Sequence, residues 1–410
     1  MKYIVLIMDG AAGEPLEQFE GKTTIEASMT TLLDMMARQG TVGMVRTVPE
    51  GLEPSSATAI TSILGYDPTE NNFGRGAIEA ASMGIELAPN EVALRVNTLS
   101  IVDGIMASYS CDAIPTEESH AIVTRLGEAL NDDTFTLYPG VSYRHILVVK
   151  DHPELLDLKF TPPHDISDRS VEPYLPSGEG ADLLLDYMDR ARALLAADWT
   201  NAERVERGVK PATDLWPFWP GVAPQGTVPF TDARGGLTCA LTSGVDLLGG
   251  LAVLFGIDRL EIPEVTGGPD NNFGAQVNGG LDALDDHDVV IIHVEAPDEQ
   301  GHAGDVEGKV TAIEMIDTQM VSRIFGYAKE HEHVRVLVMP DHPTPISIKT
   351  HNANPVPFLL WGEGIAPNGA AAYSERQGGA TGLVVDPGHL IMDLLLGAIE
   401  PADLTPPVGE

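Results

Sequence analysis

One stretch of the 410-residue chain carries an acid and a histidine four residues apart, directly after a strongly apolar run. The stretch is VVIIHVEAPDEQGHAGD, residues 289–305, and the pair is Asp298 and His302. Carboxylate oxygens and imidazole nitrogens both bind divalent metal ions. Either the pair belongs to a metal site or it is an ordinary polar segment, and two residues alone do not distinguish these interpretations.

Other acids and histidines adjoin similar apolar runs. Asp9 follows YIVLIM, and both Asp341 and His342 follow VRVLVMP. His351 stands ahead of the run in NPVPFLLWG. Each residue alone has a structural explanation, such as a turn at the end of a strand. Together, three aspartates and three histidines form a mixed oxygen and nitrogen ligand set for two divalent ions about 4 Å apart.

A ligand set of this kind favours phosphoryl transfer, because such ions polarise a phosphoryl oxygen and lower the pKa of a bound hydroxyl. The reaction also needs a nucleophile. The segment GLEPSSATAITSILGYDP, residues 51–68, offers Ser55 and Ser56 ahead of a helix-like run. Serine is a preferred helix N-cap, which is the structural explanation. A serine at the positive end of a helix and beside a metal would also be activated to attack phosphorus. Spacing alone does not choose between the two serines.

The elements that position these residues follow from the apolar runs. The runs are apolar on both faces and alternate with helix-like segments, which is typical of a mostly parallel sheet covered by helices. Ligands of such sheets bind at the carboxyl ends of the strands. Because the runs come from both ends of the chain, we predict an α/β fold in which residues 1–72 and 212–410 form a discontinuous metal-binding domain. Residues 73–211 would form a smaller inserted domain.

Charge and cysteine content narrow the function classes. The chain has 61 acidic and 24 basic residues and a formal net charge of −37, so its surface repels nucleic acid and anionic membranes. Two cysteines, Cys111 and Cys239, are too few for a disulfide framework or a zinc cage. No apolar run approaches the roughly 20 residues of a membrane span. We therefore predict a cytoplasmic protein that binds neither nucleic acid nor membrane, and the oligomeric state stays open.

Longer motifs make the chain resemble the archaeal type of cofactor-independent phosphoglycerate mutases, within the alkaline phosphatase superfamily. The motifs run along almost the whole chain in the family's order. They are MDG (8–10), LGYDP (64–68), GRGAIEAAS (74–82), YPGVSYRHILV (138–148), PPHDI (162–166), HVEAPDEQGHAGD (293–305), PDHPTP (340–345) and TH (350–351).

The resemblance implies an alkaline-phosphatase-like sheet with an inserted α+β domain. It also implies an isomerase of glycolysis and gluconeogenesis that interconverts 2-phosphoglycerate and 3-phosphoglycerate without bisphosphoglycerate. The family pattern selects Ser56 as the nucleophile that becomes a phosphoserine. Mn or Zn are the expected ions, with Mg or Co as alternatives. The pattern assigns one ion to Asp9, Ser56, Asp341 and His342, and the other to Asp298, His302 and His351.

Substrate recognition is expected to use arginine, which binds carboxylates and phosphates through two parallel hydrogen bonds. The small phosphorylated substrate is therefore expected to contact Arg75 and Arg144. His145, His164 and Asp165 are candidate partners for its hydroxyls or for proton transfer. Three helical residues also match family positions but fit surface salt bridges equally well: Asn201, Arg204 and Arg207.

Two positions depart from the family pattern. Ala57 follows Ser56 where the family carries Asp, and Gln276 stands nearest to a family Lys. Together these changes would weaken the hold on a phosphorylated serine or alter acid/base control near it. They leave open a phosphohydrolase, or a phosphotransferase with another small hydroxylated acceptor such as homoserine. A non-catalytic metal-binding homologue is a third alternative, and the intact ligand set with Ser56 argues against it.

Overall fold

The computed structural model describes residues 1–404, which form two compact units. The first unit combines Met1–Asn72 with the chain from Thr227 onward, and the second is Phe73–Gly226. The strands in chain order are β1 (Lys2–Met8), β2 (Thr41–Val45), β3 (Glu91–Val102), β4 (Ile105–Ser108), β5 (Phe135–Tyr138), β6 (Arg144–Lys150), β7 (Asp214–Val222), β8 (Cys239–Thr242), β9 (Asp258–Arg259), β10 (Val289–Val294), β11 (Val334–Met339), β12 (Val356–Gly362) and β13 (Val384–Val385).

The α-helices are distributed over both units, and a π-helical segment, Ile316–Val321, joins two of them. The helices in chain order are α1 (Thr24–Ala27), α2 (Thr31–Gln39), α3 (Ser56–Ile63), α4 (Arg75–Ser82), α5 (Thr116–Leu130), α6 (Ala181–Leu195), α7 (Trp199–Glu206), α8 (Phe230–Ala233), α9 (Asp246–Leu254), α10 (Phe273–Asp282), α11 (Ala296–Ala303), α12 (Val306–Met315), α13 (Ser322–Glu330), α14 (Glu375–Thr381), α15 (Leu390–Leu396) and α16 (Pro401–Leu404).

The first unit is built on a mostly parallel sheet with strand order β13-β2-β12-β11-β1-β10-β8-β9. Strand β1 is parallel to both of its neighbours, β10 and β11. Strand β12 is antiparallel to β11, so the chain enters β12 at the same edge at which β1, β10 and β11 end. The strands in the middle of the sheet are buried almost throughout, as expected for a sheet covered on both faces. The predicted α/β class is confirmed.

The second unit is an antiparallel sheet packed against helices. Strand β3 lies at its centre, with β6 on one side and β7 on the other, while β4 and β5 complete the sheet. The hydrophobic core lies between the sheet and helices α5 and α6, with Leu94, Ile122, Leu147 and Leu184 among its fully buried members. This unit is therefore an α+β structure.

The second unit ends later in the chain than the sequence predicted. The predicted boundary lies at 211/212, whereas β7 pairs with β3 along most of its length and extends the unit to Gly226. Within residues 1–404, strand β7 pairs only with β3, and such an edge strand tolerates Pro217 and Pro220, which lack a backbone N–H. The predicted segment 212–410 also includes 405–410, which lie outside the described residues. Across residues 1–404, no helix is both long and apolar enough to cross a membrane.

Candidate active site

The carboxyl edge of the first sheet gathers most of the metal-ligand candidates. Asp9 directly follows β1, and Asp341 and His342 follow β11. All three side chains are fully buried. His351 precedes β12 and reaches the same edge because β12 runs antiparallel to β11. Strand ends that are far apart in sequence therefore deliver these four side chains to one place.

Asp298 and His302 lie on α11, which begins two residues after β10. Their separation of four residues puts both side chains on one face of the helix. His302 Nε2 lies 3.1 Å from Asp298 Oδ2, and His351 Nε2 lies 3.5 Å from Asp298 Oδ1. The three residues therefore form one cluster around the Asp298 carboxylate.

The hydrogen bonds of the two histidines make this cluster suitable for a cation. His302 Nδ1 lies 3.0 Å from the Lys349 carbonyl, and His351 Nδ1 lies 3.3 Å from the Pro54 carbonyl. Because a carbonyl oxygen only accepts, both Nδ1 atoms carry a hydrogen, and each neutral ring keeps its lone pair at Nε2. The two Nε2 atoms face each other at 2.9 Å. Two lone pairs and the Asp298 carboxylate thus converge, which is the environment of a metal ion.

The pKa values reflect the same convergence. The hydrogen bond with Asp298 raises the pKa of His302 to about 9, although burial opposes this shift. Burial would raise the pKa of Asp298, but hydrogen bonds with His302 and His351 hold it well below its usual range. In the metal-free chain, a proton on imidazole therefore supplies the positive charge that a bound cation would bring.

A second cluster joins Asp9, Asp341 and His342, whose ligand atoms all lie within 4.8 Å of one another. The backbone N–H groups of Gly10 and His342 donate to Asp341 Oδ1 at 3.1 and 2.8 Å. Asp341 Oδ2 and Asp9 Oδ1 are buried and have no hydrogen-bond partner among the described residues. His342 Nε2 lies 3.2 Å from the first and 3.6 Å from the second of these oxygens. Buried, unpartnered carboxylate oxygens beside imidazole fit a divalent cation.

The geometry at α3 distinguishes the two candidate serines. Ser55 is the N-cap, and its side chain accepts a hydrogen bond from the Thr58 backbone N–H at 3.3 Å. Ser56 is the first helical residue, and its Oγ lies 3.2 Å from His342 Nε2. The structural explanation therefore applies to Ser55, whereas Ser56 adjoins the second cluster.

A buried lysine supports the loops that carry these clusters. Lys309 Nζ donates to the carbonyl oxygens of Ala12 and Thr344 at 3.1 and 2.8 Å. These carbonyls belong to the loops after β1 and β11, which carry Asp9 and Asp341. Burial lowers the pKa of Lys309 to about 8, and nearby carboxylates limit the shift. The lysine thereby links two ligand-bearing loops that are remote in sequence.

The second unit contains a cluster of opposite charge. Arg75 Nε pairs with Glu79 at 2.9 Å, and Arg95 Nη1 pairs with the same carboxylate at 2.6 Å. Burial lowers the pKa of Arg95, Glu79 opposes the shift, and the nearby charges of Arg75 and Arg144 lower it further. Arg144 forms no ion pair within residues 1–404. Arg75 and Arg95 therefore share one carboxylate, with the charge of Arg144 near them, which leaves positive charge for an anionic ligand.

Aromatic rings surround this arginine cluster. The Arg75 guanidinium lies 4.2 Å from the centre of the Trp219 ring, a cation–π contact. His164 lies 5.7 Å from Trp219 and 6.3 Å from Phe218, measured between ring centres. Burial lowers the pKa of His164, and the nearby Arg75 adds to this effect. Asp165 is exposed and lies 3.8 Å from His164, so both predicted residues lie at or beside the cluster.

His145 does not belong to this cluster, in contrast to the prediction. The residue is fully buried, and its Nδ1 accepts a hydrogen bond from the Gly140 N–H at 3.1 Å. Its Nε2 lies 3.0 Å from the Ser119 hydroxyl. Successive strand residues point to opposite faces, so Arg144 and His145 of β6 cannot both face one ligand. His145 is a core residue whose ring nitrogens are both engaged.

The helical residues of α7 and its end also have structural partners. The Asn201 side chain bonds to the backbone of Ala212 in both directions. Arg204 is buried and donates to the Cys111 carbonyl, while Arg207 pairs with Glu118 at 2.8 Å. These contacts favour the salt-bridge and packing interpretation over substrate binding.

Comparison with known proteins identifies the family to which the chain belongs. A family model described as 2,3-bisphosphoglycerate-independent phosphoglycerate mutase matches residues 37–201. A probable enzyme of that name from Geobacter sulfurreducens is 40% identical over 401 residues, which cover 97% of this chain and 100% of that protein. The chain belongs to this family. A mutase of the same name from Methanothrix thermoacetophila is 42% identical over 397 residues, again covering 97% of this chain and 100% of the relative.

Two solved structures resemble this mutase-family chain. A Pyrococcus horikoshii protein matches with a TM-score of 0.80 and 25% identity, covering 100% of this chain and 99% of that one. The cofactor-independent phosphoglycerate mutase from Thermoplasma acidophilum matches with a TM-score of 0.67 and 22% identity, covering 97% and 100%. The second likeness supports the shared fold.

The two departures from the mutase pattern have different surroundings. The Ala57 carbonyl accepts the Thr61 hydroxyl inside α3, so the position is an ordinary helical one. Gln276 is fully buried, and its amide donates to the His293 carbonyl and accepts from Asn271, both at 2.8 Å. Gln276 therefore secures the end of β10 and does not present a charge to a phosphate.

Sequence reasoning missed several residues beside the two clusters. His293 and Glu295 lie next to Asp9, and the ligand atoms of all three lie within 4.8 Å of one another. His293 is the polar residue in the otherwise apolar strand VVIIHV, and that contrast was a usable signal. Arg95 occupies a similar position in β3, where a buried arginine would have signalled a charged partner.

Proposed function

We propose that this chain interconverts 2-phosphoglycerate and 3-phosphoglycerate through a phosphoserine at Ser56, without bisphosphoglycerate. The observation that carries the proposal is the position of Ser56 Oγ, 3.2 Å from His342 Nε2 at the rim of a buried Asp and His cluster. Family membership supports the isomerase activity, since the relatives bear the name of this mutase.

Two metal ions are part of the proposal. Mn or Zn suit mixed oxygen and nitrogen ligands, with Mg or Co as alternatives. When bound, the ions would supply Lewis acidity to the phosphoryl oxygens and lower the pKa of the Ser56 hydroxyl. The proposed ligands are Asp298, His302 and His351 for one ion, and Asp9, Ser56, Asp341 and His342 for the other.

The proposed reaction is balanced by the substrate and Ser56 alone. Ser56 Oγ forms a bond to phosphorus while the ester bond to the glycerate oxygen breaks, and the serine proton ends on the released glycerate hydroxyl. The other glycerate hydroxyl then forms a bond to phosphorus while the bond from phosphorus to Ser56 Oγ breaks, and the proton of that hydroxyl ends on Ser56 Oγ. The backbone N–H groups at the start of α3 would stabilise the phosphoserine charge.

The glycerate must be retained between the two transfers, and we assign this task to the arginine cluster of the second unit. Arg75, Arg95 and Arg144 can bind carboxylate or phosphate through paired N–H groups. His164 and Asp165 would contact substrate hydroxyls. The excess of guanidinium over carboxylate in the cluster supports this assignment, because the chain as a whole is strongly acidic.

A coupled assay tests the proposal. The chain is treated with a chelator, Mn or Zn is restored, and conversion of 3-phosphoglycerate is followed without bisphosphoglycerate while free phosphate is measured in parallel. We expect metal-dependent isomerisation with little phosphate release. Phosphate release without isomerisation would identify a phosphohydrolase, an outcome for which the Ala57 and Gln276 departures give a reason. No turnover at all would redirect the search to another acceptor, such as homoserine.

The cellular setting remains a prediction. Both cysteines, Cys111 and Cys239, are buried and unpaired, which agrees with the cytoplasmic location expected from the sequence. A small phosphorylated molecule is the proposed ligand, and the strongly negative net charge is the reason to expect no nucleic acid partner.

A further inference from the structure

We propose that His293 is a positioning residue that holds the Asp9 carboxylate so that only Oδ1 is open to a metal ion. The inference rests on the proposed function insofar as Asp9 is taken as a metal ligand. His293 is the next-to-last residue of β10, and Asp9 directly follows the neighbouring strand β1. Neither His293 nor its bond to Asp9 belongs to the ligand set implied by the family resemblance.

The contact between the two side chains is short and fully enclosed. His293 Nε2 lies 2.7 Å from Asp9 Oδ2, and both residues are completely buried. On its other side, His293 Nδ1 lies 3.0 Å from Ser243 Oγ. The histidine ring therefore connects the loop after β8 with the residue after β1.

The hydrogen-bond partners determine which ring nitrogen carries the hydrogen. As an ionised metal ligand, Asp9 only accepts hydrogen bonds, so Nε2 of His293 donates to Asp9 Oδ2. The neutral ring then accepts at Nδ1 from the Ser243 hydroxyl, and Ser243 Oγ in turn accepts the Val245 N–H at 3.0 Å. In this series of hydrogen bonds every donor has an acceptor, and the bonds all run in one direction, from Val245 to Asp9.

This arrangement divides the two oxygens of Asp9 between separate tasks. Oδ2 is occupied by His293, whereas Oδ1 is buried without a partner and lies 3.6 Å from His342 Nε2. Asp9 is therefore prepared to contribute one oxygen on the His342 side. Partners of this kind orient metal-binding carboxylates, and their loss typically lowers metal affinity about 10–100-fold.

An alternative use of the same residues is a third cation site. Asp9, His293 and Glu295 have ligand atoms within 4.8 Å of one another. However, a nitrogen that donates a hydrogen bond has no lone pair for a metal, and both ring nitrogens of His293 are engaged. The geometry therefore favours a supporting hydrogen bond, and the number of bound ions separates the two alternatives.

The test measures Mn binding to the full chain by calorimetry and by electron paramagnetic resonance. His293→Leu removes the donor, and His293→Gln keeps an N–H near the position of Nε2. We expect two Mn ions per chain in the wild type. In His293→Leu, one ion should bind about 10–100-fold more weakly while the other is unchanged. His293→Gln should recover most of the affinity, which a purely structural role would not predict.

Ser243→Ala serves as the second variant, because it leaves the buried ring in place and removes only its hydroxyl partner. We expect it to weaken the same ion by less than His293→Leu does. Unchanged Mn affinity in a folded His293→Leu would overturn the inference; if that variant does not fold, unchanged affinity in Ser243→Ala would do so. Three Mn ions in the wild type, with one absent from both His293 variants, would also overturn it.

Failure of the proposed function gives a different result. If the wild type does not isomerise phosphoglycerate but the variants change Mn affinity as expected, the proposed reaction fails and the role of His293 stands. If isomerisation occurs and the variants bind Mn normally, the reaction stands and the role of His293 fails.

Discussion

The two charged clusters of the molecule carry opposite charge: the cluster in the first unit is rich in carboxylates, and the cluster in the second unit is rich in guanidinium groups. In the first unit, Asp9, Asp298 and Asp341 bring buried carboxylates together with imidazoles, and Lys309 is the nearby buried cation. In the second unit, Arg75 and Arg95 share the carboxylate of Glu79, and the charge of Arg144 lies near Arg95. The proposed metal ions would neutralise the first cluster, and the proposed phosphorylated carboxylic acid would neutralise the second.

Among the changes that test this comparison, replacing the proposed nucleophile should have the largest effect on the rate of isomerisation. Ser56→Ala removes the oxygen that accepts the phosphoryl group, so isomerisation should fall by about 10³-fold or more. Mn binding at Asp298, His302 and His351 should persist. Steady-state rates combined with Mn calorimetry measure both effects.

The matched control is the adjacent serine. Ser55→Ala removes only the N-cap bond of α3, so it should lower stability by about 1 kcal/mol and leave turnover within a few-fold of wild type. Full turnover by Ser56→Ala, or equal loss in both variants, would contradict the assignment of the nucleophile.

Removing the metal should destabilise the first unit. The convergent lone pairs of His302 and His351 lose their cation, and ligand linkage predicts about 4 kcal/mol of stabilisation at free metal 1,000-fold above Kd. Thermal unfolding with Mn and after chelation measures the difference. His302→Ala should shrink it, because a ligand is lost.

His331 provides the control for this experiment. Its ring stacks on Tyr327 at 3.9 Å between centres, at the exposed end of α13. His331→Ala should therefore keep the full response to Mn. Equal Mn stabilisation of the wild type and His302→Ala would show that this histidine is not a ligand.

Neutralising an arginine should affect binding more than chemistry. Arg144 has no ion pair within the described chain, so it is the guanidinium with most capacity for a substrate anion. Loss of a charge-assisted hydrogen bond is worth about 1.5–3 kcal/mol, so Arg144→Met should raise KM about 10–100-fold with a smaller change in kcat. Arg144→Lys should restore part of the affinity, since lysine lacks the paired N–H geometry.

Arg207→Met is the control within the same unit. Arg207 already pairs with Glu118 at the surface, so its loss should leave KM unchanged. A kcat loss without a KM change in Arg144→Met would place that residue in the chemical step and contradict a role in binding.

The gathering of Asp9, Asp298 and Asp341 at one edge of the sheet could be predicted from the sequence, because the sheet topology alone brings them together. Each of Asp9, Asp341 and Asp298 closely follows a strand, and parallel strands end at the same edge. That inference did not require knowing which strands are neighbours. His293 could not be predicted in this way because it lies inside β10, and its bond to Asp9 depends on β10 lying next to β1.

The arginine cluster depends on register, which the sequence does not display. Asn97 of β3 lies opposite Arg144 of β6, and Arg95 lies opposite Ile146, so Arg95 and Arg144 share one face of the sheet. His145 was grouped with Arg144 because the two are adjacent in sequence. The alternation of strand side chains sends His145 to the other face, where Ser119 of α5 bonds to it.

Acid should destabilise the second unit through His145. Burial, and then the charges of Arg95 and His120, lower the pKa of His145 to about 3, whereas the unfolded chain titrates near pH 6.5. Below that pH the unfolded state binds more protons, so the free energy of unfolding falls as pH falls, by up to about 1.4 kcal/mol per pH unit. Above pH 6.5 the contribution of neutral His145 to the free energy of unfolding is fully present and no longer changes with pH.

His145→Gln should flatten that dependence between about pH 4 and 6.5, even if it lowers stability at pH 7. Tryptophan fluorescence suits the measurement, because Trp199, Trp216 and Trp219 belong to the second unit and only Trp361 to the first. His302 has the opposite effect on the pH dependence of stability. Asp298 raises the pKa of His302 to about 9. Without metal, the stabilisation from protonated His302 is therefore complete below pH 6.5 and is lost as pH rises towards 9. An acid response of equal slope in wild type and His145→Gln would mean that His145 is protonated in the native core, which its bond from the Gly140 N–H opposes.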